Sequence, residues 1–205
     1  MTQTFHYSAY RCTDRKLIDE FIKIFPMATI ISCPTNDFLV SHIPLFRDQH
    51  TNYLWGHVDA NNPQFDLTKI DNAQIIFHGI NQYIAPEDYL SKQLPTWNYL
   101  AVHMQGSIEI SQDIQQNLTV LETTTSILQP KEAAFQFSEQ DPRVQKNAFY
   151  IKTICFKPIF EEGRFKLSQD KSEADQQAVL KRLLTIPEGR IKKLINAILS
   201  SVKDS

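Results

Sequence analysis

From Tyr99 to Ile110 the chain alternates without a slip. Leu100, Val102, Met104, Gly106, Ile108 and Ile110 fall on one side, and Tyr99, Ala101, His103, Gln105, Ser107 and Glu109 on the other. A period of two over that length is a strand with one apolar and one polar face, the pattern of an antiparallel sheet that covers a core. Neighbouring segments agree. Met27–Cys33 is short, apolar and β-branched, and Phe38–Phe46 and Tyr53–Val58 read as the next two strands after a Pro34–Asp37 turn. Gln74–Ile84 predicts a long strand bent at Gly79, and Tyr150–Phe160 with Arg164–Leu167 predicts a terminal hairpin turning at Gly163.

Helical spacing interrupts these strands. Leu17, Ile18, Phe21, Ile22 and Phe25 share one face of a helix over Asp14–Phe25, which Pro26 stops. Asn62-Pro63 predicts a short helix to about Ile70. Asp113–Leu128 is helical, Asp141-Pro142 opens another helix, and Ser172–Asp175 has the form of a capping box before a helix through Leu184. Ile191, Leu194, Ile195, Ile198, Leu199 and Val202 form the face of a last helix. Six or seven strands in neighbouring pairs, with helices between them, predict a mainly β (α+β) antiparallel barrel with helices outside. The expected organisation is a single domain over 1–205, ending in helices at about 172–203.

Charge and composition narrow the function classes. A net charge of -2 supplies no global attraction to nucleic acid or to an anionic membrane. Arg164–Lys193 is locally basic, but its cations sit mostly on polar helix faces, and no helix-turn-helix signature accompanies them. No apolar run approaches the ~20 residues of a membrane span, and the N-terminus has no signal-peptide core, so a cytoplasmic protein is expected. The three cysteines form no CxxC pair, and Cys33 and Cys155 are expected as inert thiols in apolar strands. With five glycines there is no GxGxxG and no P-loop. No GxSxG serine and no HxxxH or HxxEH pair is present, so neither catalytic nor metal-binding residues are assigned. The acids at Glu87-Asp88 and Glu161-Glu162 are expected on exposed turns.

Two segments are richer than plain turns. Ser91–His103 carries Lys92, Thr96, Trp97 and Asn98 ahead of the alternating strand, and Lys166-Leu-Ser-Gln169 lies at a strand end before a capped helix. Cations and hydroxyls suit a phosphate, amides suit ring heteroatoms, and an indole suits a π-face, so together they suit a phosphorylated planar cofactor. The alternative is structural, with Trp97 plugging the barrel end and Asn98 bonded to turn backbone.

At these residues the sequence resembles the PaiB family, FMN-binding split-barrel proteins also described as negative transcriptional regulators. "SHIPL" (Ser41–Leu45), "GHV" with "NPQ" (Gly56–Gln64), "YIAP" with "SK" (Tyr83–Lys92), "PTWNY" with "VH" (Pro95–His103) and "KLSQ" (Lys166–Gln169) carry the likeness, in order along nearly the whole chain. The resemblance implies a six-stranded Greek-key split barrel, a homodimer with flavin sites between subunits, and kinship with flavin reductases and pyridoxamine-phosphate oxidases. It implies FMN, or a related phosphorylated ligand, held by Lys92, Thr96, Trp97, Asn98, Lys166, Ser168 and Gln169. A regulatory role follows from it, with an FMN- and NAD(P)H-dependent flavin reductase or oxidoreductase as the alternative; direct DNA binding has no support from the charge. Ala60 replaces an arginine of the family pattern, and Asp59, Asp88 and Asp170 introduce acids. If these positions face the phosphate, each lost or opposed contact predicts an affinity about ten- to a hundredfold lower.

Overall fold

A computed structural model describes residues 7–34, 37–130, 132–184 and 189–203, and the side chains of all these but 189–190 and 201–203. Thr35 and Asn36 of the expected turn, and the side chain of Val202, lie outside the described residues. Eight strands are formed among the described residues: β1 (Arg11–Cys12), β2 (Met27–Ser32), β3 (Leu39–Pro44), β4 (Phe46–Arg47), β5 (Leu54–Asp59), β6 (Lys69–Ile84), β7 (Thr96–Ser111) and β8 (Ile151–Lys166). The helices are α1 (Arg15–Ile24), α2 (Ile114–Leu128), α3 (Pro142–Phe149), α4 (Glu173–Leu183) and α5 (Gly189–Lys203). The strands follow the order β3-β2-β6-β7-β8-β5-β4, with β1 paired to β8. Pairs β1/β8, β2/β3, β4/β5 and β5/β8 are antiparallel. The class is therefore an antiparallel sheet with peripheral helices. The sequence-level count of six or seven strands missed the two-residue strands β1 and β4.

The chain divides into two compact units. One comprises Met1–Phe25, Ile76–His103 and Glu161–Ser205; the other comprises Pro26–Ile75 and Met104–Phe160. In the first unit α1 is capped by Asp14, whose carboxylate accepts the Lys16 N–H, and it buries Leu17, Ile18, Phe21 and Ile22. The Phe21 ring packs on Phe165 with centroids 5.5 Å apart. Gly79 serves this contact, because a Cβ there would lie 2.6 Å from the Phe21 ring. In the second unit, Leu118, Val144 and Ala148 form a buried cluster that joins α2 to α3. Asn117 braces that junction, donating to the carbonyls of Ala148 (2.8 Å) and Ile151 (2.9 Å) while accepting from Thr153 (2.8 Å).

The expected helix over 62–70 is a single 3-10 turn at Pro63–Phe65, and β6 begins at Lys69. Gln64 explains the difference. Its buried side chain donates to the Leu39 carbonyl (3.1 Å) and Ser32 Oγ (3.0 Å) and accepts from Ser41 Oγ (2.6 Å). A longer helix would carry that amide away from β2 and β3. Cys33 follows β2 and is exposed, against the expectation of burial, whereas Cys155 is buried and its thiol is pushed up to about 11 by desolvation.

The expected hairpin at Gly163 is also absent, since β8 runs through it as one strand. Gly163 faces Cys12 of β1, and a Cβ there would come within 2.8 Å of the Phe165 ring and 3.0 Å of Cys12 Cβ. The glycine is needed for close approach rather than for turning. The neighbouring acids are paired rather than solvated. Glu161 meets Arg15 at 2.9 Å, and Glu162, only 4% exposed, meets Arg11 at 2.9 Å and Arg164 at 3.3 Å. Removing the buried carboxylate leaves its cationic neighbours less compensated, so Glu162→Ala should destabilise the fold by about 3 kcal/mol. Urea unfolding checks this, and a loss below ~1 kcal/mol would show that water takes over the pairing.

Candidate functional site

All seven residues singled out in the sequence fall in the first unit, around the start of β7 and the end of β8. The structure joins them in two pairs. Lys166 Nζ donates to Thr96 Oγ1 at 2.6 Å and also stands 5.9 Å from the centre of the Tyr10 ring. Asn98 Nδ2 donates to Ser168 Oγ at 2.9 Å, and Tyr89 Oη lies 3.0 Å from the same hydroxyl. Strand alternation separates the roles of neighbours on β7. Thr96 is half-buried, Trp97 is 51% exposed, and Asn98 is fully buried. The Trp97 indole lies 6.3 Å from the Tyr83 ring.

The Lys166–Gln169 turn is built around an uncommon backbone state. Ser168 has φ 62°, in the left-handed region that favours glycine or asparagine. Its hydroxyl bonds to Asn98 and Tyr89 help hold that conformation. Gln169 completes the turn internally, with Oε1 accepting the Leu167 N–H at 2.7 Å and Nε2 donating to the Phe165 carbonyl. Asn98, Ser168 and Gln169 thus face inward and shape the turn, while Lys166, Thr96 and Trp97 keep partly open side chains. Lys92 is exposed and enters neither pair.

The segment before Lys92 is fixed by Asp175 of α4, which sequence reasoning took only as part of a capping box. The cap is present, with Ser172 Oγ accepting the Asp175 N–H at 3.2 Å. The buried carboxylate also accepts the N–H groups of Leu90 (2.8 Å) and Ser91 (2.9 Å), the Ser91 hydroxyl (2.6 Å) and the Ser172 hydroxyl (2.9 Å). Hydrogen bonds to Ser91 lead the effects that hold its pKa down at about 2. Tyr10 and Asp175 had no legible signal for these roles, since neither partner lies near in sequence. Tyr89 lies between the YIAP and SK words, neither of which assigns it a role.

Lys166 is the electrostatic focus. Its partners are a hydroxyl and a π-face, and no carboxylate lies within ion-pair distance of it among the described residues. The acids that depart from the family pattern are each satisfied elsewhere. Asp170 pairs with Lys171 at 2.8 Å. Asp88 accepts the Ala85 N–H at 2.8 Å and lies 4.0 Å from Arg182. Asp59 accepts the Asn61 N–H at 2.8 Å, and the Ala60 N–H donates to the Tyr150 carbonyl. Burial raises the Tyr10 hydroxyl pKa, and the neighbouring Asp170 raises it further.

Residues 5–155 match the family described as FMN_bind_2, Putative FMN-binding domain. The chain belongs to that family. Among curated proteins, this FMN-binding family member is 25% identical over 183 residues to the Protease synthase and sporulation protein PAI 2 of Bacillus subtilis (strain 168), covering 85% of this chain and 86% of the relative. Two solved structures share the fold at 13% identity. The flavocytochrome Anf3 from Azotobacter vinelandii matches with a TM-score of 0.63, over 80% of this chain and 73% of its own. The FAD and heme binding protein from Mycobacterium smegmatis matches with a TM-score of 0.61, over 82% of this chain and 79% of its own. The matched segment includes Lys92, Thr96, Trp97 and Asn98, whereas Lys166, Ser168 and Gln169 follow it.

Two outcomes test this construction of the FMN-binding family member. Ser168→Ala removes the common partner of Asn98 and Tyr89 and should cost about 1–3 kcal/mol. That lowers Tm by several degrees at this chain length, and an unchanged Tm in calorimetry would contradict the bracing role. The Asp175 pKa is depressed on folding, so its contribution is fully present above the ordinary carboxylate pKa and is lost as pH falls towards 2. Amide exchange at Leu90 and Ser91 should stay slow at pH 5 and accelerate below pH ~3, unlike in Asp175→Asn.

Proposed function

We propose that the chain binds FMN at the open end of β7 and β8 in its first unit and works as a flavin-dependent oxidoreductase. The observation that carries this reading is Lys166, a half-buried cation with a hydroxyl and an aromatic face for company and no described carboxylate to neutralise it. Such a cation favours an anionic group, and a phosphate fits its charge. Thr96 Oγ1 accepts from Lys166, which leaves its own hydrogen to donate to a phosphate oxygen. Lys92 adds a second, exposed cation. Trp97 presents an exposed indole to a flavin face, and Asn98, Ser168 and Gln169 fix the rim that aims Lys166. A bound flavin supplies reversible two-electron chemistry, accepting hydride from a nicotinamide and passing electrons on.

Family membership supports the cofactor, and the pairing of Asp88 with Arg182 and of Asp170 with Lys171 offsets two of the added acids, though not the arginine lost at Ala60. The exposed apolar side chains beside the site, Leu94 at 84% and Trp97 at 51%, suit a second copy of the chain as cover, so the working state is proposed as a homodimer. A regulatory role is the second reading, favoured by the likeness to a protein named for protease synthesis and sporulation. The net charge of -2 makes an indirect role more consistent than direct DNA contact.

FMN fluorescence titration tests the cofactor. Quenching with saturable affinity is expected, and Lys166→Met should weaken FMN by about ten- to a hundredfold while leaving riboflavin, which lacks the phosphate, nearly unchanged. No quenching by the native chain would end the proposal. Steady NADH or NADPH consumption with FMN present would support the reductase reading. Binding without turnover, together with a DNA shift at ~50 mM salt, would favour the regulator.

A further inference from the structure

The second unit holds a cavity of about 530 Å³ between α2 and the β4/β5 hairpin, sharing no residue with the proposed flavin site. That volume lies in the range of small-molecule sites. Phe46, Trp55, Val120 and Ile127 supply aromatic and aliphatic walls. The polar lining includes four threonine hydroxyls, beside Arg47, Asp48, Gln49, His50 and Gln116, and three of the four have committed their hydrogens. Thr119 Oγ1 donates to the Gln115 carbonyl at 2.9 Å, Thr123 Oγ1 to the Thr119 carbonyl at 2.8 Å, and Thr153 Oγ1 to Asn117 Oδ1 at 2.8 Å. A hydroxyl that has given away its hydrogen offers only lone pairs. Thr124 Oγ1 is buried and has no partner, so it keeps a hydrogen to donate to a ring nitrogen. One rim carries Arg47 and Asp48, of opposite sign. Asp48 is engaged in its own turn, accepting from His50 N (2.9 Å) and from Thr51 N (2.7 Å) and Oγ1 (2.9 Å). The cavity therefore has aromatic and aliphatic walls, opposite charges at one rim, and a polar side in which three hydroxyls accept and Thr124 can donate.

We infer that this cavity binds a neutral, planar heteroaromatic that carries amino or ring N–H donors. The ring stacks against Trp55 and Phe46, as aromatic faces prefer. The N–H groups meet the lone pairs of Thr119, Thr123 and Thr153. A carboxylate in place of the amino group is disfavoured, because its oxygens would meet the lone pairs of Thr119, Thr123 and Thr153. The inference does not rest on the flavin reading, since the cavity's residues all lie in the other unit.

Trp55 is its own reporter. In Trp97→Phe it is the sole tryptophan of the chain. Titration of that variant with adenine, 2-aminopyridine and 4-amino-6-methylpyrimidine, with benzoate as the acidic control, measures the cavity directly. Saturable quenching of Trp55 by at least one amino heteroaromatic, and not by benzoate, is expected. Adding Thr119→Val and Thr123→Val, which keep shape but remove the acceptors, should weaken that binding roughly fivefold or more. Circular dichroism confirms that the variants remain folded. The inference is overturned if none of the three amines saturates, if benzoate binds equally well, or if the double valine variant binds as before.

Discussion

A carboxylate held between two guanidiniums organises the first unit. Glu162 is buried on β8, with Arg11 of β1 on one side and Arg164 on the other. A buried ion pair adds little net stability against an apolar replacement, but it is intolerant of losing a member. Its effect here is to specify a register. With Arg11 opposite Arg164 and Cys12 opposite Gly163, the chain just before β1 is brought alongside the end of β8. That places the Tyr10 ring near the Lys166 ammonium. The cation at the centre of the proposed site thus owes one of its two neighbours to a charge pair one residue after Tyr10 and four residues before Lys166.

The sequence made the sheet class readable because strand periodicity is local. β7 shows this best, since its alternation survives almost unchanged in the burial pattern of Thr96–Ser111. The errors came where tertiary contacts use a residue against its usual habit. Gly163 looked like a turn because glycine and charged neighbours are turn-like, yet both neighbouring charges have distant partners and the glycine leaves room for Cys12 and Phe165. Asn62-Pro63 did start a helical turn, but Gln64 was drawn away by β2 and β3. The two-residue strands β1 and β4 are too short to show any period.

The candidate site was readable as a set of residue types and unreadable as a set of roles. Trp97 and Asn98 are adjacent, and their residue types alone do not tell which points outward. The strand parity does, and it sends the amide inside to Ser168 and the indole outside. The acids at positions 88 and 170 show the opposite limitation. Sequence shows the added charge and the Lys171 that follows Asp170, whereas only the folded chain shows that the two pair and that Arg182 lies beside Asp88. A charge is felt at a distance only to the extent that its neighbours leave it uncompensated.

The three longest strands, β6, β7 and β8, each contribute residues to both compact units. The first unit is consequently assembled from three separate stretches of chain. No contiguous piece of the gene encodes it, so it cannot be passed between proteins by simple fusion or excision. Assembly also requires stretches far apart in sequence to meet, which slows folding relative to chains built from local contacts. A protein of this construction evolves by substitution within its strands and by elaboration of the helices between them, rather than by exchange of parts.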